Sequence, residues 1–203
     1  MKFIKNTFPN QDFEPKREGY TKMKEPPMHA LMMIALPVGA VTAAVLFVVA
    51  QRLTTVKLGL FNFPSLGLPL AVEIIIWLVA FVAFNAVMIP LHELLHALMF
   101  PEPLKSERVY FGFHNMGAFY AFYTEDLKRW QMLLSMATPF VVLTLTPWVL
   151  IVVYNVNLPL LMLAILYHAF TAAGDLIGIY LVLKNTPTNS VLKNKGYDTY
   201  YKR

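Results

Sequence analysis

The chain has 203 residues, 57% of them hydrophobic and 14% charged, with a mean hydropathy of +0.53 and a formal net charge of +5. A domain of this size has too little interior to hide so much apolar surface, so a water-soluble enzyme is excluded and much of the chain is expected to face lipid. The chain has no cysteine, which excludes a disulfide framework, a zinc finger and a thiol nucleophile and leaves His, Asp and Glu to hold any metal.

Residues 1–27 read as a polar cytoplasmic N-terminal tail. Four apolar runs follow, at about 28–50, 68–100, 132–154 and 158–183. Each reaches the roughly 20 residues that a helix needs to cross about 30 Å of hydrocarbon. The first begins too late and runs too long for a cleaved signal peptide. The second carries Glu73 near its start and Pro90 near its end, which predicts a tilted or kinked helix or an outer re-entrant portion. Between the second and third runs, aromatic and β-favouring residues from Arg108 to Tyr123 are interrupted by His114-Asn115-Met116-Gly117, which predicts a β-hairpin within residues 105–125. Asn155 to Asn157 is a tight outer turn that makes the last two runs antiparallel neighbours. Residues 184–203 read as a cytoplasmic C-terminal tail, loosely ordered after Pro187.

Lys and Arg concentrate in the N-terminal tail, in residues 101–130 and in the C-terminal tail, whereas the segment after the first run has only Arg52 and Lys57 and the turn after the third has none. The positive-inside rule then puts both termini and the hairpin in the cytoplasm. The basic balance is an orientation signal in a bilayer, not a nucleic-acid signal, and no nucleic-acid partner is expected. The fold class is an all-α membrane protein, an integral domain over 28–183 with about four transmembrane helices and a small cytoplasmic β-hairpin between spans two and three.

His92-Glu93-Leu94-Leu95-His96 is the sharpest motif. Helical residues four apart share a face, so His92 and His96 can reach one zinc ion while Glu93 serves as general base towards water. The competing reading is a polar helix-packing cluster without metal. Hydrolytic zinc usually takes a third protein ligand. Of the acidic residues only Glu73, Glu93 and Asp175 lie in the apolar runs, and Asp175 falls at about the depth of the two histidines, 6 to 12 Å inside the same face at 1.5 Å per residue. Gly174 and Gly178 flank it in a G-x-x-x-G frame that lets another helix approach. His168 is the rival ligand; seven residues before Asp175, it would lie about 10 Å deeper, which favours a supporting, proton-handling or packed role. His114 reads as a turn residue, Glu73 and His29 as interfacial residues, and Ser135 and Thr138 lack a base at a recognisable spacing.

The chain resembles the DUF3267 family, small bacterial membrane proteins regarded as zincin peptidases and similar in logic to the site-2 proteases. The resemblance rests on His92 to His96 at the end of a span, Tyr110-Phe111-Gly112-Phe113, Ala137-Thr138-Pro139-Phe140 and Ala173-Gly174-Asp175-Leu176. It implies a bacterial cell membrane location, a Zn2+ cofactor and peptide hydrolysis, with the late-span Asp role falling on Asp175. The chain lacks the Asn-Pro-Asp-Gly type sequence that surrounds that Asp in site-2 proteases. The expected function is a zinc-dependent membrane metalloprotease with His92, His96 and Asp175 on the metal and Glu93 as base, acting on a membrane protein or peptide substrate within the lipid bilayer. A non-catalytic membrane scaffold and a small metal or ion transporter are the alternatives, and the oligomeric state is not legible.

Overall fold

A computed structural model describes residues 2–54, 65–114 and 118–203. The helices are α1 (Met28–Leu53), α2 (Leu70–Leu98), α3 (Arg129–Phe140), α4 (Thr146–Tyr154), α5 (Pro159–Thr171) and α6 (Ala173–Asn185), with a π-helical turn over Val141–Leu145 joining α3 to α4. The strands are β1 (Lys2–Lys5), β2 (Thr21–Lys22), β3 (Val109–His114), β4 (Ala118–Tyr123), β5 (Leu127–Lys128), β6 (Val191–Lys195) and β7 (Asp198–Lys202).

Among the described residues, three helical units are long and apolar enough to cross a membrane: α1, α2 and the 26-residue run from Arg129 to Tyr154. A fourth arises if α5 and α6, bent by 41° at Ala172, form one broken span. The expected runs are thus present, with ends moved by at most three residues. Leu70–Leu98 is one continuous helix through Pro90, without a separate re-entrant portion. The outward faces of α1 and α2 are strongly apolar and exposed, for example Met33, Val41, Ile75 and Val82, as surfaces that meet lipid must be. Asn155 ends α4 in the left-handed conformation, φ 52° and ψ 44°, which a short amide side chain tolerates well, and α5 starts four residues later with Pro159 at its first position.

The strands extend well beyond one hairpin. β3 and β4 pair antiparallel with Val109 opposite Tyr123, at the expected place; the turn residues Asn115 to Gly117 lie outside the described residues. β1, from the segment expected to be a tail, adds to β3 in parallel with Lys2 opposite Tyr110, giving the order β1-β3-β4. The C-terminal segment expected to be loosely ordered is instead the β6–β7 hairpin, turned at Gly196 with φ +61°, and it forms a second sheet in the order β2-β7-β6-β5. Leu192 and Val109 are fully buried and pack with Ala97, Met132 and Val182, so one apolar core joins both sheets to the neighbouring ends of α2, α3 and α6. A second core near the opposite helix ends holds Ala50, Ile151, Met162 and Ile165. The crossing of α1 and α5 needs Gly39, where a Cβ would lie 2.4 Å from the carbonyl oxygen of Phe170.

Candidate metal centre

The four-residue spacing on α2 puts the rings of His92 and His96 side by side, with Nε2 atoms 3.1 Å apart. Asp175, in the first turn of α6, approaches the same point: Oδ2 lies 3.1 Å from Nε2 of His92 and Oδ1 lies 3.5 Å from Nε2 of His96. All three side chains are at least four-fifths shielded. The 41° bend at Ala172 turns α6 relative to α5 just before this carboxylate. Gly178 contributes a close approach to Met136 on α3, whereas a Cβ at Gly174 would meet nothing within 4 Å, so only one glycine of the frame serves helix packing.

The far nitrogen of each ring is also engaged. His96 Nδ1 donates to the carbonyl of Ser135 at 2.9 Å, and the Ser135 hydroxyl donates back to the carbonyl of His96 at 3.0 Å. A carbonyl can only accept, so the His96 proton sits on Nδ1 and a neutral ring turns a bare Nε2 lone pair towards His92 and Asp175. His92 Nδ1 lies 3.0 Å from Nε2 of His168, whose Nδ1 lies 2.7 Å from the hydroxyl of Thr144. His168 nonetheless touches the cluster, because the ring of His92 spans the interval between it and Asp175: one nitrogen faces His168 on α5 and the other faces Asp175 beyond the bend. His168 meets the wrong nitrogen of His92 to share a metal with it.

A second carboxylate borders the pair. Glu93, His92 and His96 each bring a ligand-type atom within 4.8 Å of the others. Oε2 of Glu93 is occupied, accepting the backbone N–H of Ala121 at 2.7 Å. Ala121 stands opposite Phe111 on β4, and the sheet order makes β4 an edge, so this amide points out of the sheet towards α2. Two acidic residues thus compete for the third place beside the histidines. Asp175 contacts both Nε2 atoms, whereas Glu93 is drawn to the strand.

The donor set fits zinc. Asp175 Oδ2 is buried and finds no hydrogen bond among the described residues, since its neighbour is a ring nitrogen that donates only if it carries the proton. With His92 protonated on Nδ1, two nitrogen lone pairs and a carboxylate would converge at 3.1 to 3.5 Å, an arrangement that a cation among them relieves. Ligand atoms placed tetrahedrally about 2.0–2.2 Å from one zinc are themselves about 3.3–3.6 Å apart, close to the spacing seen.

Two cavities bordered by β4 reach the cluster. One, of about 250 Å³, runs past Glu93, Phe100, Tyr123 and Lys193. The other, of about 460 Å³, is lined by apolar side chains including Met28, Met32 and Ile177. Both include Ala121, Met136, Asp175 and Asn194, so they adjoin at the cluster. A third space of about 230 Å³ opens past Asn85 and Tyr167 to His92 and His168.

Thr144 and Ala121 escape the sequence reading, and Ser135 enters it only as a serine without a base. Ala121 meets Glu93, and Ser135 meets His96 Nδ1, through backbone groups, which leave no residue-type signal, and Thr144 is aimed by a π turn that no periodicity announces. Glu73 accepts the amides of Leu66 and Leu68 and the hydroxyl of Ser65 at the exposed start of α2, remote from the cluster, and His29 is exposed at the start of α1. Nothing is described of the His114 side chain.

A family model, DUF3267, described as "Putative zincin peptidase", matches residues 85–191, more than half of the chain and the stretch from α2 to the start of β6. No curated protein and no solved structure matches the chain.

Proposed function

Since the chain belongs to the DUF3267 family, we propose that it is a multi-pass membrane metalloprotease that hydrolyses peptide bonds of membrane or membrane-adjacent polypeptides, with both termini on the cytoplasmic side. The observation that carries the reading is the convergence of His92 Nε2, His96 Nε2 and the Asp175 carboxylate within 3.5 Å of one another, with Glu93 alongside. In this reading the two histidines and Asp175 hold a divalent ion, zinc by donor type. When bound, such an ion activates water and polarises a carbonyl.

Glu93 does the proton work. Its Oε2 is held by the amide of Ala121, which leaves Oε1 to take the proton of the attacking water and pass it to the departing amine nitrogen. The same hydrogen bond sets the base against the edge of β4. An extended polypeptide can add to that edge as a further strand, bound by its own backbone groups and therefore with little dependence on sequence. The adjoining cavities give such a strand room beside the cluster, one of them more polar and the other rich in methionine. Methionine walls adapt to varied apolar side chains.

The test is purified protein in detergent or nanodiscs with an unfolded reporter polypeptide such as fluorescein-labelled β-casein. Cleavage that is lost on chelation, restored by zinc and absent in Glu93→Gln supports the reading. Cleavage that persists in Glu93→Gln or in fully chelated protein sinks it.

A further inference from the structure

His96 is oriented by a carbonyl, a group that only accepts, so its proton and its bare nitrogen are fixed. His92 has no such anchor. Its Nδ1 meets another imidazole, and a histidine pair can share a proton in either sense.

We propose that His168, held in turn by Thr144, is the positioning residue for His92: it accepts the Nδ1 proton of His92, so that Nε2 presents its lone pair to the point shared with His96 and Asp175. This role rests on the reading of His92 as a metal ligand. The chain of contacts is short and buried. His92 Nδ1 to His168 Nε2 is 3.0 Å, His168 Nδ1 to Thr144 Oγ1 is 2.7 Å, and the two supporting residues are 4% and 0% exposed. With His92 protonated on Nδ1, His168 must accept on Nε2 and donate from Nδ1, and the hydroxyl of Thr144 takes that hydrogen. Ligating histidines depend on such a partner at the far nitrogen for ring orientation and basicity.

Two irregularities of the helices make this arrangement possible. Thr144 lies in the π turn Val141–Leu145, where the widened winding leaves Val141 and Val142 exposed while Thr144 is buried against α5. One residue of a regular helix turns about 100°, so the π turn decides which side chain faces His168. His168 lies in the last turn of α5, its carbonyl accepting the amide of Ala172 and the hydroxyl of Thr171. The bend comes next, at Ala172, allowing α5 to address one nitrogen of His92 and α6 the other. An unbroken, regular fourth span would keep His168 and Asp175 two turns apart on one line, as the bare sequence suggests.

The experiment measures metal affinity and needs no substrate. Metal-depleted protein is titrated with Zn2+ against a chelator of known affinity, and with Co2+ to record the visible absorption of the bound ion. His168→Leu is expected to weaken zinc binding by about 10- to 100-fold and to alter the cobalt bands. His168→Gln, whose side-chain oxygen can accept the same proton, is expected to recover most of the affinity. Thr144→Val, nearly isosteric, is expected to weaken binding several-fold, and Thr144→Ser to match the parent. A folded His168→Leu protein that binds zinc within twofold of the parent with an unchanged cobalt spectrum overturns the proposal. Where His168→Leu does not fold, Thr144→Val decides, and parental affinity and spectrum there overturn it equally. A parent protein that takes up no metal at all is a different result: it removes the metal reading of His92 itself.

Discussion

The carboxylate of Glu93 and the amide of Ala121 are 2.7 Å apart, joining the middle of the H-E-x-x-H on α2 to the edge of β4. The amide that meets Glu93 takes no part in the β3–β4 ladder. Ala121→Pro therefore removes the donor without removing a rung, since proline is tolerated where the N–H faces away from the sheet. The expected outcome is a folded protein with unchanged zinc content and turnover lowered about tenfold or more, because Glu93 loses a hydrogen bond to its charged form. Turnover and metal content measured on the same preparation check it, and parental turnover would separate the strand from the base.

Metal analysis of the purified protein is expected to give about one zinc per chain. His92→Ala and His96→Ala each leave two of the three ligand groups and are expected to lose the ion under dialysis. Unchanged zinc in both single variants would move the site elsewhere.

The two carboxylates are told apart by their amides. Glu93→Gln is expected to keep zinc and lose about a hundredfold or more in rate, since an amide cannot take a proton from water. Asp175→Asn is expected to weaken zinc retention as well as rate, because it removes the negative charge of the carboxylate whose two oxygens face the two Nε2 atoms. If Glu93→Gln loses the metal and Asp175→Asn retains it, the roles of ligand and base are exchanged.

Orientation is accessible through the absence of native cysteine. Glu107, with a side chain 86% exposed near β3, and Asn157, exposed in the turn between α4 and α5, lie at opposite ends of the helical bundle. Glu107→Cys is expected to be protected from a membrane-impermeant maleimide in intact cells and Asn157→Cys to be labelled. The reverse pattern would invert the protein in the bilayer.

The sequence carries the parts of the fold that obey a period. Long apolar runs mark the helices, the aromatic alternation from Val109 marks β3 and β4, and the spacing of His92 and His96 fixes their shared face. Asp175 is legible because a carboxylate in an apolar run must serve something. The C-terminal hairpin also has a signal, Leu192 and the tyrosines around Gly196, outweighed by the polar composition of the segment. Other features have no local signature. β1 pairs with β3, more than a hundred residues later, and the line from Thr144 through His168 and His92 to Asp175 depends on a π turn and a bend that ideal helical geometry does not contain.

The pairing of β1 with β3 and of β2 with β7 bears on the order in which the chain can assemble. Lys2 waits for Tyr110, and Thr21 waits for Tyr201. A nascent chain that has emerged as far as His96 carries the motif but neither the strand that holds Glu93 nor the helix that brings Asp175. The second sheet needs β7 to bridge β2 and β6, and its Leu192 belongs to the core beneath the cluster. The centre thus comes together only after β4 and α6 have been made, well after the motif on α2 itself.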